Sequence, residues 1–366
     1  MLKKSISIDT RLINAAGIGT YLRNLLPRII LSKSNTLFYL LGDIRELESF
    51  NWSKETNVVL INCVSPIYSF EEQIEIYQKI PRDTLLFWSP HYNIPLFYRG
   101  KLLVTVHDLF HIAMPQFVKG YHKQLYAKIM FKAISKKANS IISVSDFTKN
   151  EFNKFVGKTK QEIHAIHNGV DESWFSSQKQ KDFHHKKPFL LFVGNIKPHK
   201  NLGSLLDAFK LIMDIIPHDL IILGKKEGFI TGDSDIFVKA LEQKERVHFF
   251  GEFDNDSEIF RQFYLNADVL ILPSFYESFG LPPLEAMASG CPAIVSNVAA
   301  LPEIYKDSVL YCNPYDYKDI AEKIFELIND NKLRDNLRQK GFERAKQLTW
   351  ESCAQKTIHV IQEVLK

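Results

Sequence analysis

The sequence is poor in cysteine, and its cysteines are not spaced for chemistry. Cys63, Cys291, Cys312 and Cys353 are scattered and form no Cys-x-x-Cys pair. That argues against a zinc site or a disulfide framework and predicts reduced thiols in the cytoplasm. No apolar run approaches the roughly 18 residues that a membrane-spanning helix needs. The start, "MLKKSISIDTRL", is basic, but neither an apolar core nor a small-residue cleavage site follows. It therefore reads as a first strand and not as a signal peptide, and the cytoplasm is the compartment expected. A clear acidic cluster for a catalytic metal is also missing: "DNDSE" (254–258) precedes a helix and reads as capping. No short repeat occurs, and no nucleic-acid-binding motif accompanies the basic residues.

What is present is an ordinary globular composition, 45% apolar and 24% charged, in 366 residues. That length suits two domains, each able to bury its own core. Charge is unevenly spread: the first 180 residues carry a net +8 and the remainder −4. The excess gathers in "VKGYHKQLYAKIMFKAISKKA" (118–138), where six lysines and no acid interleave with Tyr121, Leu125, Tyr126, Ile129 and Phe131. Such a stretch suits a solvated helix face, or a patch that meets anionic lipid head groups or a phosphorylated acceptor.

Short apolar runs alternate with longer amphipathic ones throughout. "SISID", "LFYLLG", "NVVLINC", "LLFWSP", "KLLVTVHD", "NSIISVS" and "EIHAIHN" read as strands in the first half. From 188 the alternation restarts with "PFLLFVG", "HDLIILG", "RVHFFG", "ADVLILPS", "CPAIVS" and "SVLYCN". Apolar strands flanked by helices argue for parallel sheets covered on both faces. The fold class expected is α/β, two doubly wound Rossmann-like domains. The polar stretch 171–188 is the linker candidate, giving an N-terminal domain 1–174 and a C-terminal domain 188–349. The tail from 317 looks helical, and its last helix, 350–366, is expected to join the first domain.

Ligands of open α/β sheets bind outside the carboxyl ends of the strands, so the residues after each strand matter most. "VGNIKPHKNL" (193–202) is a strand end, a glycine and a basic loop before a helix, with Asn201 as its expected N-cap. Lys200 beside that helix start suits a phosphate; an ordinary βα turn with surface lysines has the same look. "ESFGLPPLEAMASGCP" (277–292) follows the run "ADVLILPS". Gly280 permits close backbone approach, and Pro283 suits a first helical turn. Glu285, two turns into that helix, would repel phosphate and better suits sugar hydroxyls, as acidic residues do with ribose. Either glutamate alone could equally be a solvated side chain.

As a unit, 277–292 resembles the paired-glutamate signature of the retaining family-4 glycosyltransferases, which have the GT-B fold of two Rossmann-like domains facing a central cleft. Further stretches match in order: "GIGTYLRNLL" (17–26), "VTVHDL" (104–109), "SVSDFTKNEF" (143–152), "IHNGVDE" (166–172), "VGNIKPHKNL" and "RVHFFGEF" (246–253). The similarity spans nearly the whole chain and is nearest to bacterial mannosyltransferase-like members that build cell-surface polysaccharide. It implies transfer of a hexose, mannose from GDP-mannose being the leading case, to a saccharide or lipid-linked acceptor without a metal or other cofactor.

The resemblance also implies roles. Glu277, with backbone of Phe279, Gly280, Leu281 and Pro282, would hold donor-sugar hydroxyls, and Glu285 the ribose. Lys200 would bind the diphosphate, with Asn195 and His199 where many relatives place an arginine. Backbone near Phe249 and Phe250 would receive the base. Gly17 and Gly19 would form a loop near the phosphates and acceptor, and His107 would sit at the reacting centre, although a lone histidine after a strand is otherwise a structural residue. Weak attachment of 118–138 to anionic membrane, peripheral on the inner face of the plasma membrane, and no nucleic-acid partner complete the expectation. Two other classes share the architecture: sugar-nucleotide 2-epimerases and non-catalytic two-domain sugar-binding proteins.

Overall fold

The computed structural model describes residues 4–176, 179, 183, 185–224, 234–251, 253 and 257–366. Residues 254–256, expected to cap a helix, lie outside the described residues; the neighbouring Ser257 accepts from the Phe260 N–H and caps Glu258–Asn266.

Each apolar run singled out in the sequence forms a strand. The first seven are β1 (Lys4–Asp9), β2 (Thr36–Gly42), β3 (Val58–Asn62), β4 (Leu86–Ser89), β5 (Lys101–Val106), β6 (Ser140–Ser143) and β7 (Ile163–Ala165), joined in the order β3-β2-β1-β4-β5-β6-β7. The other six are β8 (Phe189–Val193), β9 (Asp219–Leu223), β10 (Val247–Phe250), β11 (Val269–Leu272), β12 (Ala293–Ser296) and β13 (Leu310–Cys312), in the order β10-β9-β8-β11-β12-β13. Every pairing is parallel. Burial follows position: β8, β9, β11 and β12 are buried at every residue, while the edge strand β10 is half exposed. Central parallel strands are covered on both faces, which is why they read as unbroken apolar runs.

The principal helices are α1 (Ala16–Ser32), α2 (Phe70–Lys79), α3 (Tyr121–Lys137), α4 (Asp146–Phe155), α5 (Leu202–Ile212), α6 (Ser234–Leu241), α7 (Glu258–Asn266), α8 (Leu281–Ala288), α9 (Tyr317–Asn329), α10 (Asn331–Gln347) and α11 (Trp350–Leu365). Helix α5 buries Leu202, Leu205, Leu206, Phe209 and Ile212, one face at helical spacing, and packs on α9.

The chain forms two units, residues 1–168 with 350–366, and residues 169–349. The crossing lies at Asn168–Gly169, ahead of the expected linker. Residues 170–174 already belong to the second unit: Val170 bridges Thr349, and the Trp174 ring packs 5.0 Å from that of Tyr264. Helix α11 returns to the first unit and packs on α1, with Trp350 6.1 Å from Tyr21.

Two further expectations are corrected. Gly17 and Gly19 do not form a loop; both lie in the first turn of α1. A Cβ at Gly19 would stand 2.5 Å from the Ile13 carbonyl, so this glycine lets the preceding turn pack against the helix, while Gly17 faces open space. In α3, Phe131 points into the core, and Tyr126 is half-buried with its hydroxyl on the Asn93 side-chain oxygen. The outward face instead carries Tyr121, Leu125, Lys128, Ile129, Lys132 and Lys136, all exposed and spaced within one helical stripe.

Candidate active site

In each sheet the strand order reverses once, between β1 and β4 in the first unit and between β8 and β11 in the second. Loops leave adjacent strands in opposite directions at such a point and open a crevice at the carboxyl ends.

At the second switch point the loops after β8 and β11 are stitched together. The Phe275 N–H donates to the His199 carbonyl at 2.8 Å. Asn201 has left-handed backbone at φ 59° and makes no side-chain cap, contrary to its expected role. Its buried amide nitrogen donates instead to the Pro273 carbonyl at 2.9 Å and the Pro314 carbonyl at 2.7 Å. Three loops are thus pinned by one side chain.

This stitching brings two expected residues into contact. Lys200 Nζ donates to Glu277 Oε1 at 2.6 Å, and Ser274 Oγ donates to the same oxygen at 2.9 Å. The two side chains retain only 20% and 10% of their exposure, so the pair is little screened by water. Gly280 stands at φ 80° before α8, where a Cβ would lie 3.0 Å from Leu301. Its carbonyl accepts from the Tyr305 hydroxyl, which burial keeps protonated well above the usual tyrosine range. Pro282 and Pro283 occupy the first turn of α8 and have no N–H, so Pro282 cannot donate to a ligand. Phe279, Gly280 and Leu281 carry backbone N–H groups at this helix start.

Glu285 is the fifth residue of α8, in its second turn rather than beyond it. It is buried and accepts from the Tyr264 hydroxyl at 2.7 Å. Tyr264 was not legible as a site residue, because in sequence it is one more apolar position of an amphipathic helix. Burial and the adjacent carboxylate push its pKa well above the usual range, so it remains a donor. Asn195 follows Gly194 in the loop after β8. Phe249 and Phe250 end the edge strand β10, where the Gly224 N–H reaches the Phe250 carbonyl at 3.4 Å.

His199 has its pKa pushed down to about 3, by burial first and by the charges of Lys200 and Lys197 next. A bound diphosphate would have to lift that value past 7 to make the ring a cation. Each unit costs about 1.4 kcal/mol, so the ring is neutral and Lys200 carries the positive charge.

In the first unit His107 follows β5 and lies half-buried, its Nε2 3.0 Å from the Pro90 carbonyl. A carbonyl only accepts, so Nε2 holds the proton and Nδ1 is the acceptor nitrogen. Burial lowers its pKa to about 4, with Asp108 opposing. A polar network missed in the sequence lies at this unit's switch point. Arg11, on the loop after β1, pairs with Asp9 and with Glu72 of α2, each at 2.6 Å, and Glu72 also accepts from Asn93 on the loop after β4. His91 beside it lies 3.3 Å from the Tyr68 hydroxyl and is held neutral by burial, with a pKa near 3. The "ID" that ends the first strand was its one sequence signal; its partners come from distant segments.

Two family models match the chain: Glycosyltransferase Family 4 over residues 82–174 and Glycosyl transferases group 1 over residues 175–344. O-antigen chain mannosyltransferase RfbU of Salmonella typhimurium is 30% identical over 253 residues, covering 69% of this chain and 67% of that protein. O-antigen chain mannosyltransferase B of Escherichia coli is 28% identical over 286 residues, 73% of each chain. Among solved structures, sucrose-phosphate synthase from Thermosynechococcus elongatus superposes with a TM-score of 0.80 at 20% identity over 99% of both chains. HepE of Anabaena, in complex with UDP and glucose, superposes with 0.78 at 16% identity, over 98% of this chain and 100% of that one.

Two outcomes follow from this geometry. Nucleoside diphosphate affinity measured between pH 7 and 9 will superimpose for the unmodified protein and His199→Gln; a protonated His199 would instead make affinity fall as pH rises in the unmodified protein alone. Tyr264→Phe, which removes a donor from a buried carboxylate, will lower unfolding stability by about 1.5–3 kcal/mol in urea titrations.

Proposed function

The chain belongs to the Family 4 glycosyltransferases of group 1, and from that membership we propose that it moves a hexose, mannose from GDP-mannose being the leading case, onto a saccharide or lipid-linked acceptor of cell-surface polysaccharide. The observation that carries the reading is the Lys200–Glu277 pair at the switch point of the second unit. A cation for the departing diphosphate stands beside a carboxylate for the sugar, on loops fixed by buried hydrogen bonds. Similarity to the two O-antigen mannosyltransferases supports the sugar and the polymer.

In this reading the bond from the anomeric carbon to the diphosphate oxygen breaks as the acceptor oxygen bonds on the same face of the sugar. The acceptor proton passes to the departing diphosphate, so the anomeric configuration is retained and no metal is needed. Lys200 and the N–H groups of Phe279, Gly280 and Leu281 offset the developing charge. Glu277 orients sugar hydroxyls, Glu285 takes the ribose hydroxyls while Tyr264 fixes its carboxylate, and backbone near Phe249 and Phe250 receives the base. His107, neutral with Nδ1 as acceptor, takes a hydrogen bond from a sugar hydroxyl and is not a general acid. Asn195 and His199 border the diphosphate without charge.

Among the described residues no helix is long and apolar enough to cross a membrane. The outward stripe of α3 supports peripheral attachment to an anionic bilayer: Tyr121, Leu125 and Ile129 offer apolar contact, and Lys128, Lys132 and Lys136 offer charge to lipid head groups.

Incubation with radiolabelled GDP-mannose, UDP-glucose and ADP-glucose tests the reaction. Slow release of mannose and GDP, first as the retained anomer, is expected; an isomerised donor would indicate an epimerase, and binding without turnover a binding protein. Lys200→Ala will weaken GDP binding by about 2–5 kcal/mol, the range for losing one partner of a desolvated charge pair. Glu277→Ala will cut turnover yet leave GDP affinity undiminished, because it releases Lys200 from its carboxylate. Co-flotation with vesicles will rise with phosphatidylglycerol content and fall with salt. Replacing Lys128, Lys132 and Lys136 by Glu will abolish it, at about 1 kcal/mol per lysine removed; equal recovery on neutral vesicles would refute the attachment.

A further inference from the structure

Away from the crevice, at the opposite end of the second sheet, three side chains converge that no step of the reaction uses. Asp219 opens β9, His248 is the second residue of β10, and His185 precedes β8. All three therefore lie near the amino ends of their strands, whereas Lys200 and Glu277 follow the carboxyl ends of β8 and β11. His185 Nε2 stands 3.1 Å from Asp219 Oδ2, and His248 Nε2 stands 3.2 Å from the same oxygen. The three ligand atoms lie within 4.8 Å of one another.

The geometry points to a divalent transition-metal site, with His185 Nε2, His248 Nε2 and Asp219 Oδ2 as ligands and solvent completing a tetrahedron. Zinc holds imidazole nitrogen and carboxylate oxygen at about 2.0–2.2 Å, which places neighbouring ligands of a tetrahedron about 3.3 Å apart. The two measured nitrogen–oxygen separations match that edge. Both imidazoles are aimed at the same carboxylate oxygen, and the His185 Nε2 atom is itself buried. The ring is held in place by the edge of Phe189, with centroids 5.6 Å apart.

The Asp219 carboxylate is divided in use. Oδ1 accepts from Arg246 Nε at 2.7 Å and has Lys187 at 3.7 Å, while Arg246 itself is anchored to the carbonyls of Met213, Ile216 and His218. Oδ2 is left to face the histidines. A partner on the second oxygen orients a ligating carboxylate, as supporting residues do around known metal centres. The nearby cations Lys187 and Arg246 oppose a dication and weaken its binding. His185 and His248 keep 16% and 33% of their side-chain exposure, so a metal and its solvent ligand can enter. Bound metal fastens the segment leading into β8 to the edge of the sheet.

The test uses the full-length, tag-free protein, stripped with a chelator and titrated with Co²⁺. One equivalent is expected to give the visible absorption of four-coordinate cobalt, discharged by Zn²⁺, and Zn²⁺ is expected to raise the unfolding temperature. The double variant His185→Gln/His248→Gln, checked for native circular dichroism, will lose at least about 100-fold in affinity, exceeding the 10- to 100-fold typical of removing an outer partner. His359→Gln, on an exposed turn of α11, is the control and will bind as the unmodified protein does. No cobalt spectrum at millimolar metal, or equal affinity in the double variant, would overturn the site and leave Asp219 as a hydrogen-bonded ion cluster. The outcome is independent of transferase activity, since none of the three residues belongs to the donor site.

Discussion

The candidate site of the second unit depends on the side-chain amide of Asn201. It sits in left-handed backbone at φ 59°, where asparagine is one of the few side-chain-bearing residues tolerated. From there its two amide hydrogens reach carbonyls after β11 and after β13. Buried carbonyls need partners, and these two find theirs in a residue of a third loop. The neighbouring residue, Lys200, inherits its direction from that clamp. So does Glu277, which follows Pro273 by four residues and meets Lys200 at 2.6 Å. The ion pair at the heart of the site is thus a consequence of backbone satisfaction around it.

The two units handle buried charge differently. In the second, a single cation and a single carboxylate stand at the crevice with partial solvent access, while Glu285 is secured by a tyrosine donor. In the first, Arg11, Asp9 and Glu72 form a buried network whose arginine and glutamate side chains are 4% and 0% exposed. Charges that deep are tolerable only when each is paired and hydrogen-bonded. The histidines of both crevices, His91, His107 and His199, are all shifted toward neutrality by burial. Near neutral pH the fixed charges of these loops come from lysine, arginine and carboxylates, and the imidazoles act as neutral hydrogen-bonding groups.

Much of the architecture could be read from residue order. Thirteen apolar runs stood out and each forms a strand among the described residues, because a parallel strand buried on both faces has no polar face to dilute its signal. Lys200 and Glu277 stood out because they follow such strands, where side chains and backbone can reach a ligand, and the structure brings the two into contact. Gly17, Gly19 and Asn201 were misassigned for a common reason. A glycine near a helix start looks alike whether it frees a loop or admits a neighbouring carbonyl, and an asparagine before a helix looks like a cap whether or not its side chain turns elsewhere.

By itself the sequence determined the class of fold, the number of strands, the family signature and the residue types available for a diphosphate and a sugar. These are properties of local pattern, fixed by hydrophobic period and by turn chemistry within a few residues. Only the tertiary structure decided which of those residues meet. Lys200 and Glu277 are 77 positions apart, Asn201 and Pro314 are 113, and Tyr264 and Glu285 are 21. The loop contacts arise from the strand order β8-β11-β12-β13. The protonation of His199 was likewise beyond the sequence, because desolvation is set by what packs around a ring and not by its neighbours along the chain.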